Sequence, residues 1–565
     1  MNKPLLLSLA AASILTTSVS ASSMYDRFQE MELQMKQLQE EVKTLKAQKS
    51  EAVVQEDTEK TTDAVVADDE ADEDAVTADD SDEEDDAVTS DDADEADATA
   101  DDEEADDEDD EATVEERIAD LEESVTDLNK NTNGSHLKLG VDYRFALDNM
   151  QYKMADGSSQ GNDAFMTNRL WINMNWKATE NLSFTGQMAY NKAFGARSAS
   201  AGNNSPFETF DWITNENAYD GVIRVRSAYF LYKNDTFMGA NIPWTFSVGR
   251  RPSTNGHLVN LRDDDHAASP LGHTINVEFD GLSSKFALED LTGIDGMYVK
   301  FCAGRGGTNA NPKFFDVNAS GAPVVTAPYS QTNNDIGNID LAGLIFVPYN
   351  DGQYGIATQY YYANNLIDGS FTNAGVFQGM KTVGGMHSVT ANFTMNGIGN
   401  EWSDYLDDTF FFVSGAMSVT NPAKNGNGGM LGSTDAKTGY SVWAGLQMPS
   451  LITEEGRWGL EYNQGSKYWR SITYAEDTNI GSKLAARGDA YEAYFTEPLI
   501  EDILSLQVRY TYIDYKYTGS NGFFGSTTGT PVEISNKMIN AGGKNYANTV
   551  VNTAQDIRFY LRYRY

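Results

Sequence analysis

Apolar and polar residues alternate along many short stretches of the chain from Asn133 onward. In the first stretch the odd positions from Leu137 to Leu147 are all apolar, while the even positions include Lys138 and Asp142. Successive side chains of a strand point to opposite faces, so a period of two predicts a strand with one apolar and one polar face. The pattern recurs at 170–176, 389–395 and 440–448. Residues 133–565 are therefore predicted to be rich in β-strands.

The connections between these predicted strands alternate between long and short. A long loop is expected at 149–164, a four-residue turn at Ala178–Asn181 and another long loop at 195–221. Outer-membrane barrels alternate connections in this way, whereas the hydrophobic pattern alone also fits a secreted β-sandwich. Further strands are expected near 222–232, 244–251, 274–280, 296–303, 338–348, 354–363, 387–396, 409–420, 439–448, 457–464, 489–496, 504–517 and 554–565. The total is about 16, which leaves an aqueous lumen.

The last predicted strand adds a separate indication. Ile557, Phe559, Leu561, Tyr563 and Tyr565 alternate up to a terminal aromatic residue. The 11 residues from Gln555 to Tyr565 match the roughly 9 to 11 that a tilted strand needs to cross a bilayer. An aromatic carboxy-terminal strand of this form also resembles the insertion signal of bacterial outer-membrane barrels. The predicted fold class is therefore all-β, a transmembrane antiparallel β-barrel spanning residues 133–565, and the resemblance implies a location in the outer membrane of a Gram-negative cell, surrounded by its lipids.

The N-terminal part follows other patterns. Residues 1–21 have the basic start, apolar stretch and small-residue end of a secretory signal peptide. Apolar residues spaced three and four apart predict a coiled-coil helix at 24–50 and a short heptad helix at 113–130. We expect both helices in the periplasm, where contact with peptidoglycan or another periplasmic partner is an option. A helix lying on its own barrel is the alternative.

Residues 51–112 form an acidic segment between the two helices. From Glu51 to Glu111 there are 33 acidic residues and one lysine, a charge of -32 within the total of -44. With almost no large apolar side chains, this segment is predicted to be a disordered linker. Weak binding of Ca²⁺ or Mg²⁺ is an alternative to a solvated spacer, although no loop with calcium-binding spacing is present. The charge and the lack of a basic run exclude nucleic acid as a partner.

A family resemblance rests on the terminal strand, the signal-peptide and heptad start, and the stretch Gly249–Leu258, which reads GRRPSTNGHL. With these features the chain resembles an uncharacterised family of epsilonproteobacterial outer-membrane proteins over most of residues 133–565. A heptad helix ahead of a barrel also resembles the sucrose-type trimeric porins, to which the acidic linker is an addition. The resemblance implies a porin-like barrel, and the heptads favour a homotrimer.

Several arginines fall on the polar face of the predicted strands. Because closing the barrel pairs the last strand with the first, these side chains are expected to form a basic wall of the pore that selects ions. The set is Arg144, Arg169, Arg224, Arg226, Arg509, Arg558, Arg562 and Arg564. The third long loop, 252–273, contains Asp263, Asp264 and Asp265. In the sixteen-stranded trimeric porins, which the chain resembles, the third loop folds inward. The resemblance therefore implies that this loop narrows the channel opposite the wall, although solvated charges or local neutralisation by Arg262 are alternatives.

The same loop contains His257, His266 and His273, but their spacing fits no compact metal motif, so no metal and no cofactor are expected. Catalytic motifs of zinc proteases, serine hydrolases and phosphate-binding loops are absent from the sequence. The chain is therefore not expected to be an enzyme. The expected function is passive diffusion of small hydrophilic solutes or ions. The alternative is a structural or adhesive surface protein that bridges toward the cell wall.

Overall fold

The computed structural model describes residues 137–194, 220–308, 310–311, 316–317, 319–321, 323–325, 330–331, 336–371, 377–399, 402–424, 429–473, 476–520, 529–534, 540–541 and 544–565. All belong to one compact unit, His136–Tyr565. The predicted signal peptide, both predicted helices and the acidic linker lie outside the described residues.

Sixteen strands form a closed antiparallel barrel. They are β1 Leu137–Met154, β2 Ser159–Lys177, β3 Leu182–Ala193, β4 Asp220–Asn234, β5 Trp244–Arg251, β6 Phe279–Ala287, β7 Tyr298–Gly307, β8 Ile339–Asn350, β9 Tyr354–Phe371, β10 Phe377–Asn396, β11 Phe410–Pro422, β12 Thr438–Pro449, β13 Arg457–Gly465, β14 Gly488–Ile500, β15 Leu504–Tyr515 and β16 Val551–Arg564. The predicted all-β barrel and its number of strands are confirmed.

Short elements occupy the connections. Two-residue to four-residue strands lie at Gly256–His257, Ala268–Leu271, Ile275–Asn276, Ala310–Asn311, Asp316–Val317, Pro323–Val325, Ser330–Gln331, Ile472–Thr473, Asn540–Ala541 and Lys544–Asn545. One-turn helices lie at Val259–Asp263, Glu289–Thr292, Asp404–Asp407 and Ala547–Thr549. Among the described residues, no helix is both long and apolar enough to cross a membrane.

The barrel closes between β1 and β16. In the register of this pair, Arg144 is opposite Arg562, and Asp148 is opposite Arg558. The backbone N–H of Val141 and of Tyr565 each donate to the other's carbonyl, at 2.7 and 2.8 Å, which extends the seam to the C-terminal residue. The closing role predicted for the last strand is confirmed.

The two faces of the wall differ as the alternation predicts. On β1, Leu139 is 65% exposed on the outer face, whereas Asp142 and Arg144, which point inward from the same strand, are 4% and 2% exposed. On β16, Ile557 and Phe559 are on the outer face, and Arg558 between them is buried. The apolar residues therefore coat the outside of the barrel, and the charged residues point inward.

Several predicted boundaries are wrong. The strands expected at 354–363 and 387–396 extend to Tyr354–Phe371 and Phe377–Asn396. The long loop expected at 149–164 is instead a continuation of β1 and β2, which pair as far as Lys153 and Ser159. Inter-strand hydrogen bonds extend this hairpin although its sequence is polar. The sixth strand, expected at 274–280, lies at Phe279–Ala287, because Ile275 and Val277 pack inside the barrel instead of in its wall. The turn at Ala178–Asn181 is confirmed, with Ala178 N donating to Leu182 O at 2.9 Å.

Candidate functional site in the barrel lumen

Two long connections fold into the lumen. One is the β5–β6 loop, residues 252–278, and the other is the β13–β14 loop, residues 466–487, of which 466–473 and 476–487 are described. They meet inside the barrel as a short parallel pair, in which Ile275 is opposite Ile472 and Asn276 is opposite Thr473. The Ile472 N–H donates to the Thr274 carbonyl at 2.9 Å. The two loops therefore form one structure across the lumen.

Apolar packing holds these loops against the inner wall. Ile275, Val277 and Ile472 join a buried cluster with inward residues of β8 and β9. Leu258 and Leu484 pack with Trp443 of β12 in a second cluster. The expectation of a simple aqueous lumen is thus corrected, because part of it has a packed protein interior. The apolar residues of these loops were a signal in the sequence, since exposed loops seldom contain so many.

Asp477 of the β13–β14 loop is the meeting point of three wall arginines. Its carboxylate accepts two hydrogen bonds from Arg144 of β1, of which Nη2 to Oδ1 measures 2.7 Å. Its backbone carbonyl accepts from Arg509 Nη2 at 2.6 Å and from Arg558 Nη1 at 2.7 Å. Arg558 also donates from Nε to Asp148 at 2.5 Å. Asp477 is a residue that sequence analysis missed.

The aspartates of the β5–β6 loop contact the end of β16. Arg562 donates to the Asp263 carbonyl at 2.8 Å and to Asp265 Oδ1 at 2.7 Å. It is also bidentate to Asp142 of β1, with Nε to Oδ1 at 3.0 Å. Arg564 donates to the Asp264 carbonyl at 2.9 Å. The acidic loop and the basic wall are therefore in direct contact.

A further ion-pair network lies across β13 and β14. Arg262 of the β5–β6 loop donates to Glu492 of β14 at 3.0 and 3.2 Å. Lys483 of the β13–β14 loop contacts Glu492 at 2.5 Å and Glu461 of β13 at 2.6 Å. These four side chains are at most 3% exposed. Apart from Arg262, none was singled out in the sequence, because the inward glutamates are isolated in their own strands.

The other predicted arginines lie on β2 and β4. Arg169 and Arg226 stack on Trp171, with guanidinium carbons 3.5 and 4.2 Å from its ring centre. Arg226 also donates to Thr254 of the β5–β6 loop at 2.7 Å. Arg224 is exposed. The structure thus brings seven of the predicted arginines to the inner wall, six of them buried and Arg564 half-buried.

Burial and charge act in opposite directions on the acidic groups of the loops. Burial by itself raises the pKa of Asp477, but the guanidiniums of Arg144 and Arg558 outweigh it and hold the pKa well below its usual range. At Asp263, burial again raises the pKa, but the nearby positive charges, chiefly that of Arg262, together lower it by more, and the resulting pKa of Asp263 is about 2. Both aspartates are therefore ionised at neutral pH, which makes their contacts charge-assisted.

The loop histidines are separated from one another. His273 is fully buried, with Nδ1 2.7 Å from Ser414 Oγ and Nε2 2.9 Å from Ser441 Oγ. Burial lowers the pKa of His273 to about 3 and that of His257 to about 4. His266 is exposed. In the part of the chain that the structure describes, no cluster of histidine, cysteine and acidic residues suits a metal ion.

The fold and this site define a class: a closed sixteen-stranded barrel whose lumen is crossed by two of its own loops. The chain belongs to the family described as a protein of unknown function (DUF3373), whose model matches residues 159–565. No curated protein matches the sequence.

Several solved structures match the chain at low sequence identity. The anion-selective porin from Comamonas acidovorans has 10% identity and a TM-score of 0.40, and the match covers 76% of this chain and 99% of that one. Salmonella typhi OmpF, in a complex with daunomycin, has 12% identity, coverages of 76% and 99%, and a TM-score of 0.39. Pseudomonas putida OprB, in a high-pH structure, has 12% identity, coverages of 77% and 96%, and a TM-score of 0.39.

Proposed function

We propose that the protein is an outer-membrane channel for small hydrophilic solutes or ions, with the β5–β6 and β13–β14 loops limiting the open cross-section. The observation that carries this proposal is the distribution of side chains over a closed barrel: an apolar outer face and a charged inner face. That arrangement suits a barrel of this size in a bilayer, with its polar interior facing water or other polar groups.

The charged contacts between the loops and the wall favour a narrow, selective channel instead of a wide, unselective one. Buried ion pairs are costly to break by removing one partner, so they fix the loops against the wall. Arg144, Arg509 and Arg558 converge on Asp477, and their charges are offset there. Selectivity is therefore set by the balance of wall arginines and loop carboxylates, and not by the arginines alone.

The test is conductance of the purified full chain in planar lipid bilayers, with its reversal potential measured in a KCl gradient. Discrete single-channel steps are the expected result. Folding of the barrel is verified by its heat-dependent mobility in gel electrophoresis. If the folded barrel inserts into the bilayer but shows no conductance, the proposed channel function is overturned.

A second candidate function is a structural or adhesive surface protein. The observation that favours it is the packing of both loops inside the lumen, where Trp469 and Ile275 are fully buried. A barrel without conductance that nevertheless binds isolated peptidoglycan through residues 24–130 would support this alternative. For either function we propose a homotrimer with its N-terminal helices in the periplasm. Cross-linking in isolated outer membranes tests this oligomeric state.

A further inference from the structure

A cavity of about 320 Å³ lies between the β5–β6 loop and the inner wall. Its lining includes Ser269 and Leu271 of the loop, Tyr298 of β7, Ile345 of β8 and Asn392 of β10. This volume is at the lower end of the range for small-molecule sites. The cavity also reaches Gly352 in the short turn after β8, so it lies toward the short-turn end of the barrel.

Two lysines adjoin this cavity. Lys300 of β7 donates to Ser269 Oγ at 2.9 Å. Lys285 of β6 lies with its ammonium 4.1 Å from the centre of the Tyr298 ring. Both Ser269 and Tyr298 line the cavity, so each ammonium group contacts a residue of the lining.

These lysines face each other directly, because Lys285 and Lys300 are register partners in the β6–β7 pair. Arg251 of β5 is a further like charge acting on Lys300, and its guanidinium stacks on Tyr229 at 4.1 Å. Within the described ranges, no carboxylate lies within 4.0 Å of the charged nitrogens of these three residues. Like charges opposite one another destabilise a sheet, so a negative partner would stabilise this arrangement.

The wall formed by β1 and β16 differs from this arrangement. There Arg144, Arg558 and Arg562 each contact an aspartate of the barrel or of a loop. These three arginines of β1 and β16 are thus compensated within the protein, as Arg250 of β5 is by Glu278 at 3.0 Å, whereas Arg251, Lys285 and Lys300 have no such partner among the described residues. The cluster of Arg251, Lys285 and Lys300 therefore places positive charge beside the cavity.

We propose that this cavity, with Lys285 and Lys300, is a binding site for a small organic carboxylate that passes through the barrel. The ammonium groups bind the carboxylate, and the apolar side chains of Leu271 and Ile345 contact the hydrocarbon part. Asn392 offers an amide that orients the ligand. His257 also lines the cavity, and burial lowers its pKa to about 4, so it adds no charge at neutral pH. The proposal rests on the channel function for the access of the ligand.

The apolar part of the lining distinguishes this ligand from an inorganic anion. Chloride or phosphate gains nothing from burying the side chains of Leu271, Ile345 and Val347, whereas a hydrocarbon chain or ring removes their apolar surface from water. The proposed order of affinity is therefore benzoate above inorganic phosphate. Benzamide, which has the same shape without the charge, binds more weakly because it forms no charge-assisted hydrogen bond.

The test is equilibrium dialysis of labelled benzoate against the purified full chain in detergent. Lys285→Gln and Lys300→Gln are each expected to weaken binding about tenfold, the effect of losing one charge-assisted hydrogen bond. The matched control is Lys516→Gln, which removes the same charge from a lysine paired with Asp489 at 3.6 Å, away from the cavity. It should leave benzoate affinity unchanged. Heat-dependent gel mobility verifies the fold of each variant.

A further variant keeps both lysines and fills the cavity with a larger side chain. Ala357 of β9 lines the cavity, and Ala357→Phe should abolish benzoate binding without changing the lysines. The proposal is overturned if benzoate does not bind the wild type, if phosphate competes as well as unlabelled benzoate, or if the three lysine variants behave alike. Conductance in KCl is measured on the same preparation. Conductance without benzoate binding rejects this site alone, and benzoate binding without conductance rejects the channel.

Discussion

Asp477 and Arg144 join the β13–β14 loop to the first strand of the barrel, with Arg144 Nη2 2.7 Å from Asp477 Oδ1 and both residues buried. They are 333 residues apart in the chain. The pair links the loop to the seam at which the barrel closes, because Arg144 is also opposite Arg562 of β16.

Asp477→Asn should release the β13–β14 loop from the wall. The substitution leaves the buried guanidinium of Arg144 without its anion, which costs about 3–5 kcal/mol. We expect a larger single-channel conductance and faster proteolysis within residues 466–487. The matched control is Asp340→Asn, since Asp340 pairs with Arg305 on the surface, where the two side chains are 45% and 50% exposed. This control should cost about 0–1 kcal/mol and leave conductance unchanged.

Arg144→Ala and Arg558→Ala should both shift ion selectivity toward cations. Each substitution removes a positive charge and leaves Asp477 or Asp148 less compensated inside the barrel. The measurement is the reversal potential in a KCl gradient, with Arg305→Ala as a variant of equal charge change on the exposed surface. A reversal potential that stays at the wild-type value would exclude these two arginines from setting selectivity.

Acidification should weaken the packing of the β5–β6 loop. Burial lowers the pKa of His273 from its usual 6.5 to about 3, so between these values the unfolded chain binds more protons than the folded one. The contribution of neutral His273 to stability is complete above pH 6.5 and decreases as the pH falls toward 3. Thermal unfolding of the wild type at pH 7.5 and pH 5, compared with His273→Asn, measures it. His273→Asn should lose less stability than the wild type between pH 7.5 and pH 5. An equal loss would contradict the role of His273 in this pH dependence.

Leu258→Ala should destabilise the same loop through packing. Leu258 is fully buried in the cluster with Trp443 and Leu484, and truncation of such a side chain costs about 2–5 kcal/mol. Leu291→Ala is the control, because Leu291 is 67% exposed in the turn between β6 and β7 and its truncation should change stability by about 0.5 kcal/mol or less. The free energy of unfolding in urea measures both effects. Equal costs would mean that the loop leaves the lumen in solution.

The wall of the barrel follows from local patterns. Alternation in stretches such as Leu137–Leu147 predicts the strands, and it also predicts which side of each strand faces outward. Phe559 is on the outer face and Arg558 is buried inside, as their parity indicates. This success has a simple reason: a one-residue shift would exchange the whole apolar face for the polar one, so the pattern fixes the orientation of each strand.

Local patterns failed where strand length depends on pairing. The segment 149–164 is polar, yet β1 and β2 continue through it as a hairpin. The segment 274–280 has strand-like residues, but Ile275 pairs with Ile472 inside the barrel. Backbone hydrogen bonds to a distant partner decide such cases, and these partners leave no periodic signal in the sequence.

The sequence by itself determined the β-barrel, the number of its strands, the inward direction of most wall arginines and the position of the acidic β5–β6 loop. Only the tertiary structure decided which charged side chains form ion pairs with one another. Asp477, Glu492 and Lys483 contact their partners inside the lumen, while Lys285 and Lys300 face each other with no carboxylate of the described residues within 4.0 Å of their ammonium groups. The physical reason is that side-chain direction is a local property of a strand, whereas compensation of charge depends on which distant segments occupy the same interior.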